Sequence, residues 1–182
     1  RAQTLEDLEN PLMVLRGEID GLQDYAPWLI ERFSPLQPGE AYSLERLQAL
    51  QAALQATPYF SYVDVSADPG AAQGDLLPVR VVVQEAKPKR FSMGVGYSTN
   101  TGGRLDTGWR DANWLGRAWL LNANLRLEQR QRAAVADVFL PPDAGGRRNS
   151  VGAIAESSHI SGLAIRRQAI GVASATRQGD IE

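Results

Sequence analysis

At 182 residues the chain is long enough for one domain or two small ones, and its formal net charge of −2 leaves no basic footprint for nucleic acid. A hydrophobic content of 43% is ordinary for a globular protein, and no stretch approaches the ~20 apolar residues of a transmembrane helix. Cysteine is absent, which excludes disulfides and thiolate chemistry.

Charge is unevenly spread. Residues 1–90 carry 8 Lys+Arg against 13 Asp+Glu, and residues 91–182 carry 11 against 8. The opening Arg1–Asp7 lacks the apolar core of a signal peptide, and the chain stops at Glu182 straight after a strand-like run. Both ends read as cut, so a fragment is expected.

The first half alternates short strands with helices. Residues 1–11 are polar and end in Asn10-Pro11, a loop. Met13 to Ile19 suits a strand closed by a turn at Asp20-Gly21. Asp24 is placed to cap a short helix with Pro27 in its first turn and Trp28, Leu29, Ile30 and Phe33 as its apolar surface. Ser34-Pro35 ends that helix, and Gln37–Glu40 is a turn. Ser43 then opens a second helix, with Leu44, Leu47, Leu50 and Leu54 at helical spacing until Thr57-Pro58.

Tyr59 to Ala67 is strand-like, residues 68–75 form a loop, and Leu77 to Glu85 holds the apolar run Val79, Val81, Val82, Val83. A run of that kind suits a central strand covered by helices. The predicted order is β-α-α-β-β, an α+β module. Ile19–Gly21, Leu36–Ser43, Leu54, Tyr59-Phe60, Val63 and Val65 together resemble a POTRA domain, which is assigned to residues 12–88. In that family the third strand is central and the second lies at an edge. The resemblance makes Phe60, Ser61, Tyr62, Val63, Asp64 and Val65 a possible edge for docking an extended segment, although Asp64 and Asp68 favour a merely protected edge.

Glu85–Arg90 is a short linker whose Pro88 argues against a strand ladder running through it. Phe91, Met93, Val95 and Tyr97 then alternate with Ser92, Gly94, Gly96 and Ser98, a strand with one apolar face and one nearly bare face. Thr99–Gly103 is a hairpin turn, and Arg104–Asp111 returns with Leu105, Thr107 and Trp109 facing away from Arg104, Asp106, Gly108 and Arg110. After a turn at Asn113–Gly116, Trp119–Glu128 separates Trp119, Leu121, Ala123, Leu125 and Leu127 from Leu120, Asn122, Asn124, Arg126 and Glu128. Gln129–Arg132 is read as a turn and Ala133–Leu140 as a fourth strand, ended by Pro141–Gly146. A fifth strand sets Val151, Ala153 and Ala155 against Gly152, Ile154 and Glu156, and Ile165–Thr176 is a less decisive sixth.

Such a run predicts an antiparallel meander over residues 91–182. A soluble β-sandwich alternates in the same way, so strand length and the polar face must decide. Trp119–Glu128 matches the ~9–11 residues of a tilted bilayer-crossing strand, and Asn124, Arg126 and Glu128 suit a wet lumen. Trp109, Trp114, Trp119 and Phe139 fall near strand ends, where an interfacial aromatic girdle sits. Closed membrane barrels begin near ~8 strands, and an open edge in hydrocarbon is costly, so further strands are expected beyond Glu182.

The POTRA-like module running into Gly94–Thr99, then Gly102-Gly103, the Trp109-bearing return strand and Val138–Pro141 is similar to the BamA/TamA outer-membrane assembly superfamily, and within it to the TamA branch. The resemblance spans about residues 13–182. It implies an α+β POTRA domain in the periplasm of a Gram-negative bacterium, followed by the N-terminal part of a transmembrane β-barrel in the outer membrane. It also implies a weak seam between first and last barrel strands that opens sideways to admit client outer-membrane proteins. On that analogy Phe91, Ser92, Met93, Gly94, Val95, Gly96, Tyr97 and Ser98 form the gate strand, and Thr99–Gly103 faces outside. The implied partners are client proteins, membrane lipid and a periplasm-spanning inner-membrane partner of the TamB type. A two-partner secretion transporter, which threads an unfolded substrate through a similar barrel, is the alternative.

Enzymatic chemistry finds no support in the residues. His159 is the single histidine, and its neighbours Ser157–Ser161 read as a solvated loop. Gly94-x-Gly96 lacks the third glycine and helix of a dinucleotide site, and no metal-ligand spacing occurs. No cofactor is expected.

Overall fold

The computed structural model of the chain describes residues 13–15, 18–34, 41–68, 70, 72, 76–99, 102–143, 146–160 and 162–176. It divides into two units, residues 1–86 and 87–182. No helix among the described residues is long and apolar enough to cross a membrane, which says nothing about strands. The expected loop before Met13 and the turn at Gln37–Glu40 lie outside the described residues.

The first unit contains β1 (Met13–Leu15), β2 (Ile19–Asp20), α1 (Trp28–Phe33), α2 (Leu44–Gln55), β3 (Phe60–Ala67) and β4 (Leu76–Glu85). The β-α-α-β-β order read from the sequence is present, with the first strand in two short pieces. Both β1 and β2 lie parallel to β4, while β3 pairs β4 antiparallel. β4 is therefore central. Pro78 is tolerated there because the β3 ladder starts only at Val79, paired with Ala67.

The apolar run of β4 is not covered on both faces. Leu77, Val79, Val81 and Val83 are buried, whereas Arg80 is exposed on the opposite side. Among the described residues helices cover one face only, against which Leu29, Ile30, Leu47, Leu50 and Leu54 pack as the core with Val63 and Val65. Trp28 and Leu44, expected among the apolar helix surface, remain exposed. A T-shaped contact between Tyr25 and Tyr59, centroids 5.3 Å apart, extends this core. On the open face Arg80 meets Asp20 at 2.7 Å, and that hydrogen bond holds the guanidinium above its ordinary pKa. Exposed as it is, the pair adds little stability.

Asp24 does not cap α1. The N-cap position is Pro27, and the Asp24 backbone is engaged elsewhere. The backbone N–H groups of Gln23, Asp24 and Tyr25 all donate to the Glu85 carboxylate at 2.8–3.0 Å. A residue 60 positions away thus anchors the segment that leads into α1. Ser43 does occupy the N-cap position of α2, without a side-chain capping bond. Gly21 follows β2 at φ +93, and a Cβ there would collide with the Val83 carbonyl, so only glycine fits this approach to β4.

The second unit is one antiparallel sheet of β5 (Lys89–Ser98), β6 (Gly102–Trp114), β7 (Trp119–Glu128), β8 (Gln131–Phe139), β9 (Arg147–Ile160) and β10 (Leu163–Thr176). Spatial order equals chain order, the expected meander. Strand limits differ from the sequence reading at several ends, and β6, β9 and β10 begin at Gly102, Arg147 and Leu163 rather than at Arg104, Val151 and Ile165. Pro88 does not isolate the linker, because its carbonyl accepts from Ala112 N–H at 2.8 Å even though proline cannot donate. β6 continues past an irregularity to Trp114, which moves the turn from Asn113–Gly116 to Leu115–Ala118. Asn113 Oδ1 accepts from Ala118 N–H at 2.9 Å and steadies the left-handed backbone of Ala118, φ 54. β8 begins at Gln131, leaving Gln129-Arg130 as the turn. Finally β9 runs through Ser157 to His159, so the histidine lies on an exposed strand position, with its N–H donating to the Arg130 carbonyl.

Replacing Glu85 by Ala should release the three amides it holds. Hydrogen exchange at residues 23–25 is expected to accelerate about tenfold, as the loss of ~1–2 kcal/mol of charge-assisted bonding implies. Glu85→Gln should recover part of that protection, and unchanged exchange in the Ala variant would show that the carboxylate does not order this segment.

Candidate functional site

β5 forms one margin of the six-stranded sheet. It pairs with β6 from Lys89↔Asp111 to Ser98↔Gly102, and its other edge meets no strand among the described residues. The expected gate residues Phe91–Ser98 all lie on it. Phe91, Met93, Val95 and Tyr97 project from one face and are 61–82% exposed. On the other face, a Cβ added at Gly94 or Gly96 would meet nothing within 4 Å. The strand is held by its ladder with β6 and by few side-chain contacts, the state in which an edge opens most easily.

Glycine has a different meaning one strand in. Gly108 lies opposite both Ser92 and Asn124, and an added Cβ would come within 2.6 Å of Ser92 Oγ and 3.2 Å of Asn124 Oδ1. Gly152 is likewise overlain by the Asp137 carboxylate. The bare face of β5 is therefore an open surface, while Gly108 and Gly152 make room for polar side chains.

Those polar side chains form cross-strand rows. Gly94, Asp106, Arg126, Ala133, Glu156 and Arg167 share one row by successive pairings. Within it Asp106 accepts from Arg126 Nε at 2.8 Å and also from Arg104, and Glu156 accepts from Arg167 at 2.7 Å and Gln131 at 3.0 Å. Opposite charges directly across a ladder stabilise the sheet, so this face is polar and internally matched.

Phe91 and the tryptophans gather at the Lys89 end. Phe91 approaches Trp109 with centroids 6.5 Å apart, Trp114 approaches Trp119 at 6.0 Å, and Arg117 lies over the Trp119 ring at 5.5 Å. Phe139 departs from the expected girdle. It pairs with Leu120, which places it in the face of Asn122 and Asp137.

The second candidate edge is β3. Phe60, Val63 and Val65 are buried, Tyr62 is 56% exposed, and Ser61 sits at a register shift with its hydroxyl donating to the carbonyls of Gln84 and Glu85. Two residues missed by sequence reasoning, Gln51 and Gln55 of α2, engage this strand. Gln55 donates to Val63 O at 3.2 Å, and Gln51 Oε1 accepts from Val65 N–H at 3.4 Å. Their i,i+4 spacing was visible beforehand, but not which strand that helix flank would overlie. An incoming strand that needs these groups must displace both glutamines. Among the described residues no cluster of metal-ligating side chains occurs.

No protein-family model matches the chain, and no curated protein matches it. Among solved structures it is similar to BamA from Haemophilus ducreyi lacking POTRA domains 1-3, with a TM-score of 0.70 at 18% identity over 90% of this chain and 32% of that one. It is also similar to CdiB from Acinetobacter baumannii, with a TM-score of 0.59 at 15% identity over 84% of this chain and 31% of that one. At these identities the likeness is one of fold. The six-stranded meander corresponds to part of a BamA-like barrel. The chain spans about a third of the length of each structure it matches.

The glycine geometry is directly testable. Gly94→Ala and Gly96→Ala should be accepted, with thermal stability unchanged or raised by ~0.4–1 kcal/mol as the unfolded chain loses freedom. Gly108→Ala should cost about 1–3 kcal/mol by crowding Ser92 and Asn124. Equal effects at all three positions in thermal melts would refute the distinction.

Proposed function

We propose that the chain belongs to an outer-membrane protein-assembly factor of the TamA type, with residues 12–88 as a periplasmic POTRA domain and residues 91–182 as opening strands of a transmembrane β-barrel. The observation that carries this reading is β5, a strand with an edge unpaired among the described residues, an exposed apolar face and a bare opposite face. A client strand can pair with such an edge through backbone hydrogen bonds, which tolerate any client sequence. The fold likeness to BamA supports it, and its 90% coverage extends beyond residues 87–182 into the first unit. The role is one of binding and templating, without catalysis. Its partners are client outer-membrane proteins, the lipid bilayer and an inner-membrane protein of the TamB type.

The two faces of the sheet fit this setting. Leu105, Leu121, Leu125, Val138 and Val151 share the face directed at lipid, and the Asp106–Arg126 and Glu156–Arg167 rows line the lumen. Further strands complete the barrel in this reading, since open edges in hydrocarbon leave backbone groups unsatisfied.

A second reading, a two-partner secretion transporter, draws on the likeness to CdiB. Conductance of the full-length protein in planar bilayers separates the two: a large, steady pore favours secretion, and a small or flickering one favours assembly.

The gate itself is tested by a disulfide between a cysteine at Ser92 or Gly94 and one on the last barrel strand of the full-length protein. Oxidation should suppress client insertion and reduction should restore it. Insertion that proceeds with the seam sealed rules out lateral templating.

A further inference from the structure

The face carrying Trp109 and Leu125 is not uniformly bulky. Successive pairings align Trp109, Ala123, Ala136, Ala153 and Ile170 in one row across five strands. The next row toward the Ser98 end runs Thr107, Leu125, Ala134, Ala155 and Gln168. Alanines on β8 and β9 thus make a low floor between walls of Trp109 and Leu125 on one side and Ile170 on the other. The resulting groove follows the strands and encloses about 800 Å³. One row further it continues between Leu127, Arg132, Ser157 and Arg166.

Those two arginines end a mainly apolar channel, which Thr107 and Gln168 also line. They flank Ser157 from β8 and β10, two strand spacings or ~10 Å apart. Neither has a carboxylate within ion-pair distance among the described residues. On the opposite face of the same end, Arg104, Arg126 and Arg167 are each matched by an acid. An outward arginine costs ~2–4 kcal/mol at the bilayer midplane and about 0–1 kcal/mol near the interface, so this end of the groove belongs at the headgroups. There a guanidinium fork suits phosphate, and the alanine floor suits saturated acyl chains.

We propose that this groove is a site for one phosphorylated glycolipid of the outer leaflet, its phosphate held by Arg132 and Arg166 and its acyl chains lying on the Ala134, Ala136, Ala153 and Ala155 floor. The site rests on the membrane-barrel reading above, in which the Ser98 end of the sheet faces outward. It gives the lipid a fixed position three to five strands from the edge at β5.

The test uses the full-length protein extracted from outer membranes, with native mass spectrometry after addition of lipid A, phosphatidylglycerol or inorganic phosphate. Lipid A should be retained as a single adduct, more strongly than phosphatidylglycerol, and excess inorganic phosphate should not displace it. The double variant R132Q/R166Q should lose at least about tenfold in lipid A retention, as loss of charge-assisted bonds implies. The groove-filling double variant A136F/A153F should lose it as well, with both arginines intact. Retention equal to the parent in either double variant, displacement by inorganic phosphate, or equal retention of phosphatidylglycerol overturns the site. Heat-modifiable migration in gels is followed in parallel. A parent protein without it overturns the barrel reading, whereas a heat-modifiable protein whose variants keep lipid A overturns the site alone.

Discussion

The continuous antiparallel register of β5 to β10 is the constraint on which the second unit depends. Each ladder fixes the next at a spacing of two residues per face, so residues distant in sequence become rows across the sheet. A slip of one residue in β7 would exchange its faces, setting Arg126 among Leu105, Thr107 and Ala134 of the neighbouring strands and breaking the bond to Asp106. The charge pairs of one face and the alanine floor of the other are two consequences of one alignment. The ladder stops at β5 and at β10, and at β5 the alignment leaves a strand whose side chains touch little.

Two of the edge strands, β3 and β5, are built differently, and β10 is the other margin of the six-stranded sheet. β3 carries an irregularity at Ser61 and has Val63 and Val65 engaged by glutamines of α2, so its backbone is partly occupied. β5 runs without a register shift along its ladder to β6 and has no such cover among the described residues. Natural sheets shield edges with bulges, polar groups and covering elements. By that measure β3 is a protected edge and β5 an exposed one, which is why β5 carries the functional reading.

Most of the second unit was legible in the sequence because β-strands repeat with a period of two and hairpins connect neighbours. Trp119–Glu128 has the predicted limits, and β5 differs only by Lys89 and Arg90 at its start. Misreadings fell at turns, where the local signal is weakest. Asn113 looked like a turn residue and is one, but through a side-chain bond to Ala118 that extends β6 beyond Asp111. His159 looked like a loop residue between serines, yet the register with Ala164 keeps it in β9. Pro88 looked like a break and stops only donation, leaving its carbonyl free to accept.

Sequence alone determined the kinds of element, their order and which residues of each strand share a face, because these follow from local periodicity and chain chirality. Tertiary structure decided what lies beside what. Glu85 became the anchor for residues 23–25 only because β4 is central and its last residue reaches the start of α1. Helices cover one face of β4 and not both, a fact its valine-rich sequence could not reveal. Gly94 and Gly108 are indistinguishable as residues, yet one faces open space and the other makes room for Ser92 and Asn124. Arg132 and Arg166 share a face and a groove only through β9 between them, since lateral proximity in a sheet is a property of register and not of sequence distance.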